Sequence, residues 1–317
     1  MSAATRAFIF PGQGSQRVGM GRDLAGAFGA ARAVFDEIDE ALDQPLSTLI
    51  FEGPEDELTL TRNAQPALLA VSLAVVRALE VEGGFSLADK CAFVAGHSLG
   101  EYSALAAVGS FSLVDAARLL RRRGLAMQQA VPLGEGAMAA LLGIDLDVAV
   151  AIAEAAAEGD ICSAANDNAP GQVVISGARA AVMRAMALAP DQGAKRCIEL
   201  PVSAPFHCAL MAPAAEVMRD ALADTAIAAP AAPLVANVTA RAELDPDRIR
   251  ENLVEQVTAM VRWRESMLFM RDAGVDSLVE LGAGSVLCGL ARRIDRDLKG
   301  VSVGQPDELM AFLETLV

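Results

Sequence analysis

Cys91-Ala92-Phe93-Val94-Ala95-Gly96-His97-Ser98-Leu99-Gly100-Glu101-Tyr102-Ser103-Ala104-Leu105-Ala106-Ala107 is the stretch whose reading decides the fold. Cys91–Ala95 is an apolar run of the length of a buried strand, and the residues from Leu99 onward have the composition of a helix. Between them lies Gly96-His97-Ser98-Leu99-Gly100, a G-x-S-x-G pentapeptide. The pentapeptide alone is unspecific, and its place between a strand and a helix gives it meaning. A strand-to-helix turn this sharp needs glycines flanking the serine, because side chains there would collide. It also leaves the hydroxyl exposed at the positive end of the helix. Ser98 is therefore the candidate nucleophile, and the expected fold class is α/β with a parallel sheet.

Working outward, Arg6–Phe10 reads as a strand, Gln65–Val81 as a helix, and Leu99–Val108 and Leu113–Gln129 as two more helices. Ser112, with Asp115 three residues on, supplies an N-terminal cap signal for the second of these. The middle of the chain changes pattern. Strand Ala137–Leu142, helix Leu146–Ala157, strands Ile161–Ala165 and Gln172–Ser176, helix Arg179–Leu188 and strand Ala194–Leu200 follow in turn, with an Asn-Asp-Asn-Ala-Pro-Gly turn between the paired strands. That βαββαβ order belongs to a ferredoxin-like unit. Alternation then returns: a helix from Ala209, strand Leu234–Val238, helices through Asp272, strand Asp276–Leu281, a helix from Ser285, strand Gly300–Val303 and a last helix. The expected organisation is a core of residues 1–130 and 203–317, interrupted by a small subdomain over 131–202.

Composition removes whole classes of function. The 317 residues, 53% hydrophobic and 4% aromatic, suffice for a full core and exclude a disordered or fibrous chain. A net charge of −15 argues against nucleic acid as a partner. Met1–Arg6 has one basic residue and runs directly into the first strand, so no signal peptide is expected. The longest apolar stretch, Pro66–Val76, is too short to span a membrane. Five cysteines without C-x-x-C spacing read as reduced thiols of a soluble, cytoplasmic protein, and no His/Cys cluster has the spacing of a metal site. Arg121-Arg122-Arg123, Lys195-Arg196 and Arg292-Arg293 are the only compact candidates for a local basic surface, as against ordinary solvated helix faces.

A serine hydroxyl needs a base to become nucleophilic at neutral pH, and the chain has two histidines. His97 adjoins the serine, where neighbouring side chains diverge, and reads as a packing or orienting residue. His207 ends Pro201-Val202-Ser203-Ala204-Pro205-Phe206-His207, a loop stiffened by two prolines, and is the candidate base. Cys208 beside it points elsewhere by the same divergence. A hydrolase of this general shape would place an acid and a late histidine after the serine, yet no histidine follows His207. A Ser-His dyad, its imidazole oriented by a backbone carbonyl, is the alternative. Gly12-Gln13-Gly14-Ser15-Gln16 lacks the Lys-Ser/Thr of a Walker loop and the third glycine of a dinucleotide fingerprint. Its better reading is that the Gln13 and Leu99 amides form an oxyanion hole.

The motifs then converge on a family. Phe10-Pro11-Gly12-Gln13-Gly14-Ser15-Gln16, Gln65-Pro66-Ala67-Leu68, Gly96-His97-Ser98-Leu99-Gly100-Glu101-Tyr102, Arg123-Gly124 with Met127-Gln128, Ala165-Asn166 with Pro170-Gly171-Gln172-Val173-Val174-Ile175-Ser176-Gly177, and His207 occur in one order. In that order the chain resembles the malonyl-CoA:acyl carrier protein transacylases, over nearly its whole length. The resemblance implies an α/β-hydrolase-like large subdomain with an inserted ferredoxin-like small one. It implies a malonyl group carried from coenzyme A through an ester on Ser98 to acyl carrier protein; the stand-alone length suits a discrete enzyme of fatty acid biosynthesis and a monomer, and a two-step exchange of this kind needs no cofactor. It assigns Arg123 to the free malonyl carboxylate, the Gln256 backbone carbonyl to orienting the histidine, and Gln65, Asn166 and Phe206 to the cleft. Phe206 also resembles the malonyl signature of related polyketide acyltransferases. Two alternatives stay open from the residues alone: a serine esterase or thioesterase, and a non-catalytic carrier-protein-binding module.

Overall fold

The structure, a computed structural model, describes residues 5–316. Residues 1–4, on which part of the signal-peptide reading rests, lie outside the described residues. Among the described residues ten strands form two sheets: β1 (Arg6–Phe10), β2 (Phe93–Gly96), β3 (Gly136–Leu142), β4 (Cys162–Ala169), β5 (Gln172–Ala178), β6 (Arg196–Glu199), β7 (Leu234–Val235), β8 (Ala242–Glu243), β9 (Ser277–Leu281) and β10 (Lys299–Val303). The large sheet has the order β10-β9-β1-β2-β7-β8 and is parallel except for the β7–β8 hairpin at its edge. Ala7 to Phe10 of β1 are fully buried, as befits a central parallel strand covered on both faces.

Register places the site. Phe10 pairs with Gly96, so the two glycine-rich turns leave the carboxyl ends of neighbouring parallel strands. In open α/β sheets ligands bind there. Helix Thr61–Gly83 crosses helix Leu113–Ala130 at Gly124, where a Cβ would stand 2.6 Å from the Thr61 carbonyl oxygen. That backbone approach brings Arg123 beside Gln65. The apolar stretch Pro66–Val76 proves to be the middle of this 23-residue helix, so its length alone does not set it apart from a membrane span. Its burial does: Leu68, Val71, Val75 and Leu79 are fully enclosed by the rest of the fold.

The second sheet is antiparallel, in the order β4-β5-β3-β6, with helices Leu146–Ala157 and Arg179–Leu188 packed against it around Ala139, Leu141 and Ile175. This is the ferredoxin-like arrangement. One local reading is corrected. Asn166-Asp167-Asn168 is not a turn; β4 runs through it to Ala169, and Pro170-Gly171 alone makes the reversal. Two register shifts in β4 turn these polar residues toward the large subdomain. There the Asp167 amide donates to the Val261 carbonyl at 3.0 Å, the Val261 amide donates to Ala165 at 2.9 Å, and the Asp167 carboxylate accepts from Arg264 Nε at 2.9 Å. The strand expected over Leu234–Val238 also stops early, at Val235, because Asn237 is drawn into the nucleophile turn.

Arg121-Arg122-Arg123 is not a surface patch. Arg123 is buried, and Arg121 donates to the Arg62 carbonyl at 2.9 Å, to Asn63 Oδ1 at 2.6 Å and to Gln44. Lys195, Arg196, Arg292 and Arg293 are exposed.

The Asp167 side chain has no solvent exposure and Arg264 is its only ion-pair partner among the described residues. Removing the arginine alone leaves a buried unpaired carboxylate. Arg264→Met should lower the unfolding free energy by about 3 kcal/mol in urea titrations. A loss below about 1 kcal/mol would show that the subdomain seam does not depend on this pair.

Candidate active site

Ser98 sits in the left-handed region, φ 52°, between β2 and helix Gly100–Ala107. Non-glycine residues adopt this conformation at a cost of order 1 kcal/mol or more, and persist in it where surroundings over-determine it. Gly96 permits the turn: a Cβ there would lie 1.9 Å from the Gly100 carbonyl carbon. Asn237 fixes it from the side, its Nδ2 donating to the Gly96 carbonyl at 2.7 Å and its Oδ1 accepting from the Ser98 amide at 2.8 Å. Ser98 remains partly exposed, toward a cavity of about 420 Å³.

His207 lies across from it, also at positive φ, 59°. Its Nδ1 is 2.8 Å from the Gln256 carbonyl oxygen, which can only accept, so Nδ1 carries the proton. Nε2 is then a lone pair, 2.8 Å from Ser98 Oγ, and the serine hydroxyl donates to it. Burial, and next the Arg123 charge, push the imidazole pKa down to about 3. The histidine is neutral at any ordinary working pH, as a general base must be.

Arg123 is buried, with Nη2 donating to Ser98 Oγ at 3.2 Å and to Gln256 Oε1 at 2.9 Å, and Nη1 to Gln65 Oε1 at 2.7 Å. Its guanidinium also stands 5.8 Å from the centre of the Tyr102 ring. Among the described residues no carboxylate lies within ion-pair distance of it, and its Nε has no partner. Burial pulls its pKa down from the ordinary arginine value. From Gln65 a relay continues, Nε2 donating to Thr61 Oγ1 at 2.9 Å and Thr61 Oγ1 donating to Gln13 Oε1 at 3.0 Å, which ties the cation to the glycine-rich loop.

Gln13 and Leu99 both line the cavity, and among the described residues neither backbone amide has an intramolecular acceptor. Gln65, Asn166 and Phe206 line it as well. Gln256 does not; it lies beneath the floor, wholly buried, and acts on the cavity through His207, Ser98 and Arg123. His97 forms wall: Nε2 lies 2.8 Å from Asn168 Oδ1 and the ring 5.4 Å from that of Trp263. Cys208 Sγ donates to the Pro205 carbonyl at 3.2 Å, and burial raises its thiol pKa. Among the described residues no group of three or more His, Cys, Asp or Glu side chains is placed to hold a metal.

Asn237, Glu101, Thr61 and Asn168 were not singled out by sequence reasoning. Val235-Ala236-Asn237-Val238 reads as strand, and nothing in its spacing marks the asparagine. The hydrolase reading expected a carboxylate on the histidine; a backbone carbonyl stands there.

The chemistry these groups share is acyl transfer. A hydroxyl with a neutral base faces two amide donors suited to an oxyanion, while a fixed cation waits within one short acyl chain of the nucleophile. The acyl transferase domain family matches residues 7–306 of the chain. The malonyl CoA-acyl carrier protein transacylase of Bacillus subtilis (strain 168) is 46% identical over 311 residues, covering 98% of this chain and 96% of that protein. The crystal structure of an acyl-carrier-protein-S-malonyltransferase from Bartonella henselae matches with a TM-score of 0.96 at 56% identity, over 98% of this chain and 99% of that one. A malonyl-transacylase solved in complex with its type II PKS acyl-carrier protein matches with a TM-score of 0.95 at 42% identity, over 98% and 99% of the two chains.

Because Asn237 holds both sides of the strained serine, Asn237→Ala should slow labelling of Ser98 by a fluorophosphonate reagent by at least about 10-fold, measured by intact mass against time. Labelling within about twofold of the unaltered protein would mean that the glycine packing holds the turn unaided.

Proposed function

The chain belongs to the malonyl-CoA:acyl carrier protein transacylase family, and on that premise we infer that it moves a malonyl group from malonyl-CoA to the phosphopantetheine thiol of acyl carrier protein, in fatty acid biosynthesis. It is an [acyl-carrier-protein] S-malonyltransferase. The observation that carries this reading is the Arg123 guanidinium 3.2 Å from Ser98 Oγ. In a malonyl thioester one methylene separates the reacting carbonyl from the free carboxylate, so a cation that grips the carboxylate must stand close to the nucleophile. A guanidinium offers a planar fork to it and stays charged at any working pH.

Each residue then has a task. Ser98 Oγ attacks the thioester carbon while His207 Nε2 takes its proton, and the Gln13 and Leu99 amides receive the oxyanion. Collapse breaks the carbon–sulfur bond, the proton on His207 passes to the departing coenzyme A sulfur, and a malonyl-serine ester remains. The carrier thiol next gives its proton to His207 and attacks the ester. The second collapse returns the proton to Ser98 Oγ. Protonating His207 beside Arg123 sets two cations together, and a malonyl carboxylate on the guanidinium offsets that repulsion as the proton arrives. Both steps exchange an acyl group between sulfur and oxygen without a change of oxidation state, so we assign no cofactor.

Acyl carrier protein is the macromolecular partner, with no role for nucleic acid or membrane at a net charge of −15. Lys195-Arg196 and Arg292-Arg293, all exposed, are the paired cations we assign to meet an acidic carrier. We assign the protein to the cytoplasm, in keeping with five free cysteines, and to a monomer, since one chain supplies every residue of the cleft. Residues 131–202 are assigned to the small subdomain and 1–130 with 203–317 to the core.

Ser98→Ala should abolish covalent malonyl label from malonyl-CoA in intact mass spectra; retained label would place the nucleophile elsewhere. Arg123→Ala should lower kcat/KM for malonyl-CoA by about 100-fold relative to acetyl-CoA, the loss of charge-assisted hydrogen bonds worth roughly 1.5–3 kcal/mol. Equal loss with both donors would assign Arg123 to structure alone.

A further inference from the structure

Glu101 is a carboxylate buried behind the nucleophile that none of the steps above employs. Its Oε2 accepts from Gln256 Nε2 at 2.6 Å and from the Asn237 amide at 3.3 Å, while its Oε1 has no partner. Those two neighbours are the residues that hold the site. Asn237 clamps the serine turn, and Gln256 meets all three reacting residues: Nε2 donates to the Ser98 backbone carbonyl at 3.0 Å, Oε1 accepts from Arg123 at 2.9 Å, and the Gln256 backbone carbonyl accepts from His207 at 2.8 Å.

We propose that Glu101 is a positioning residue for malonyl transfer, whose ionised carboxylate locks the Gln256 amide and through it the alignment of Ser98, His207 and Arg123. A side-chain amide can sit in two orientations related by a half-turn. As observed, its oxygen faces the Arg123 donor and its nitrogen faces the Glu101 acceptor, so both ends are satisfied. Turned over, a donor would face the guanidinium and an acceptor the carboxylate. An ionised Glu101 forbids that second orientation, whereas a protonated one can donate to it. In a Ser-His-Asp triad the acid holds the imidazole directly. Here the acid holds the residue that holds the imidazole.

The titratable groups facing Glu101 are Arg123, from helix Leu113–Ala130, and Tyr102, from its own helix; the 237 and 256 segments bring neutral amides. Burial raises the Glu101 pKa to about 7, with the Gln256 and Asn237 hydrogen bonds and the Arg123 charge opposing it. His207 titrates far below this and contributes no inflection near neutrality.

This inference rests on the malonyl-transfer reading, and its test separates the two. Single-turnover acylation of Ser98 by malonyl-CoA is followed by rapid quench and intact mass between about pH 5.5 and 9. Malonylation of the unaltered protein at Ser98 tests the transferase reading by itself. The positioning role expects that rate to rise with pH through about 7. It expects Glu101→Gln to be at least about 10-fold slower at the upper plateau and flat with pH. It also expects Gln256→Met, which keeps the backbone carbonyl, to show a similar loss, and Glu101→Gln added to it to change the rate less than about twofold. A wild-type limb retained in Glu101→Gln, or losses that multiply in the double variant, would overturn the proposal. If Glu101→Gln does not fold, Gln256→Met decides in its place, and a full limb there overturns the proposal equally.

Discussion

The hydrogen bond from Ser98 Oγ to the Nε2 of His207 joins two residues that both occupy the left-handed region of backbone space. Among the described residues five non-glycine positions have positive φ, and this one contact takes up two of them. Neither conformation is favourable in isolation, so both turns must be held from outside. Asn237 holds the serine turn and Gln256 orients the imidazole. Both polar side chains are buried and hydrogen-bonded, and in a low-dielectric interior a satisfied network of this kind fixes a single geometry. The site is consequently preorganised from beneath, and the cavity above it is left to the substrate.

The fold brings that geometry about by converging several separate segments. The parallel pairing of β1 with β2 aligns the two glycine-rich turns, so that the Gln13 and Leu99 amides share a cavity. The close crossing of helices Thr61–Gly83 and Leu113–Ala130 delivers Arg123 to the serine. The third contribution comes from the seam between the subdomains. β4 bridges to Val261, five residues beyond Gln256, and its bulges present Asn166 to the cleft and Asn168 to His97. A displacement of the small subdomain would therefore be felt at the catalytic wall, which gives the buried Asp167–Arg264 pair at that seam a bearing on geometry as well as on stability.

Much of this was legible from residues. Regular elements such as Arg6–Phe10 and Leu146–Ala157 announced themselves by apolar runs and helical composition, and the serine turn by its flanking glycines. The misread places share a cause. Asn166-Asp167-Asn168 has the composition of a turn, yet its polar groups are satisfied across the subdomain seam, which one-dimensional reading does not see. Asn237 was invisible for a related reason, and Glu101, although part of the Gly96–Tyr102 motif, gave no sign of its role: only the spatial arrangement supplies their partners. Arg121-Arg122-Arg123 misled in the opposite direction, since helical periodicity sends three adjacent arginines to three different environments.

On the proposed assignment of Arg123, the placement of the cation accounts for a protein of net charge −15 selecting an acyl group that ends in a carboxylate over its uncharged acetyl counterpart. Arg123 is buried without a carboxylate partner in ion-pair distance, so its charge is compensated only by neutral acceptors and by a carboxylate lying behind Gln256. Such a cation interacts more strongly with an arriving carboxylate than an exposed one would, because little water competes for it. The same charge depresses the basicity of His207 until the carboxylate arrives. An acetyl donor would leave both effects uncompensated. Its serine would face a base weakened by an unpartnered cation, whereas malonyl removes that penalty as it binds. In the proposed mechanism, recognition of the acyl group's far end and activation of the nucleophile are thus one electrostatic event, set by the proximity of a guanidinium, a hydroxyl and an imidazole.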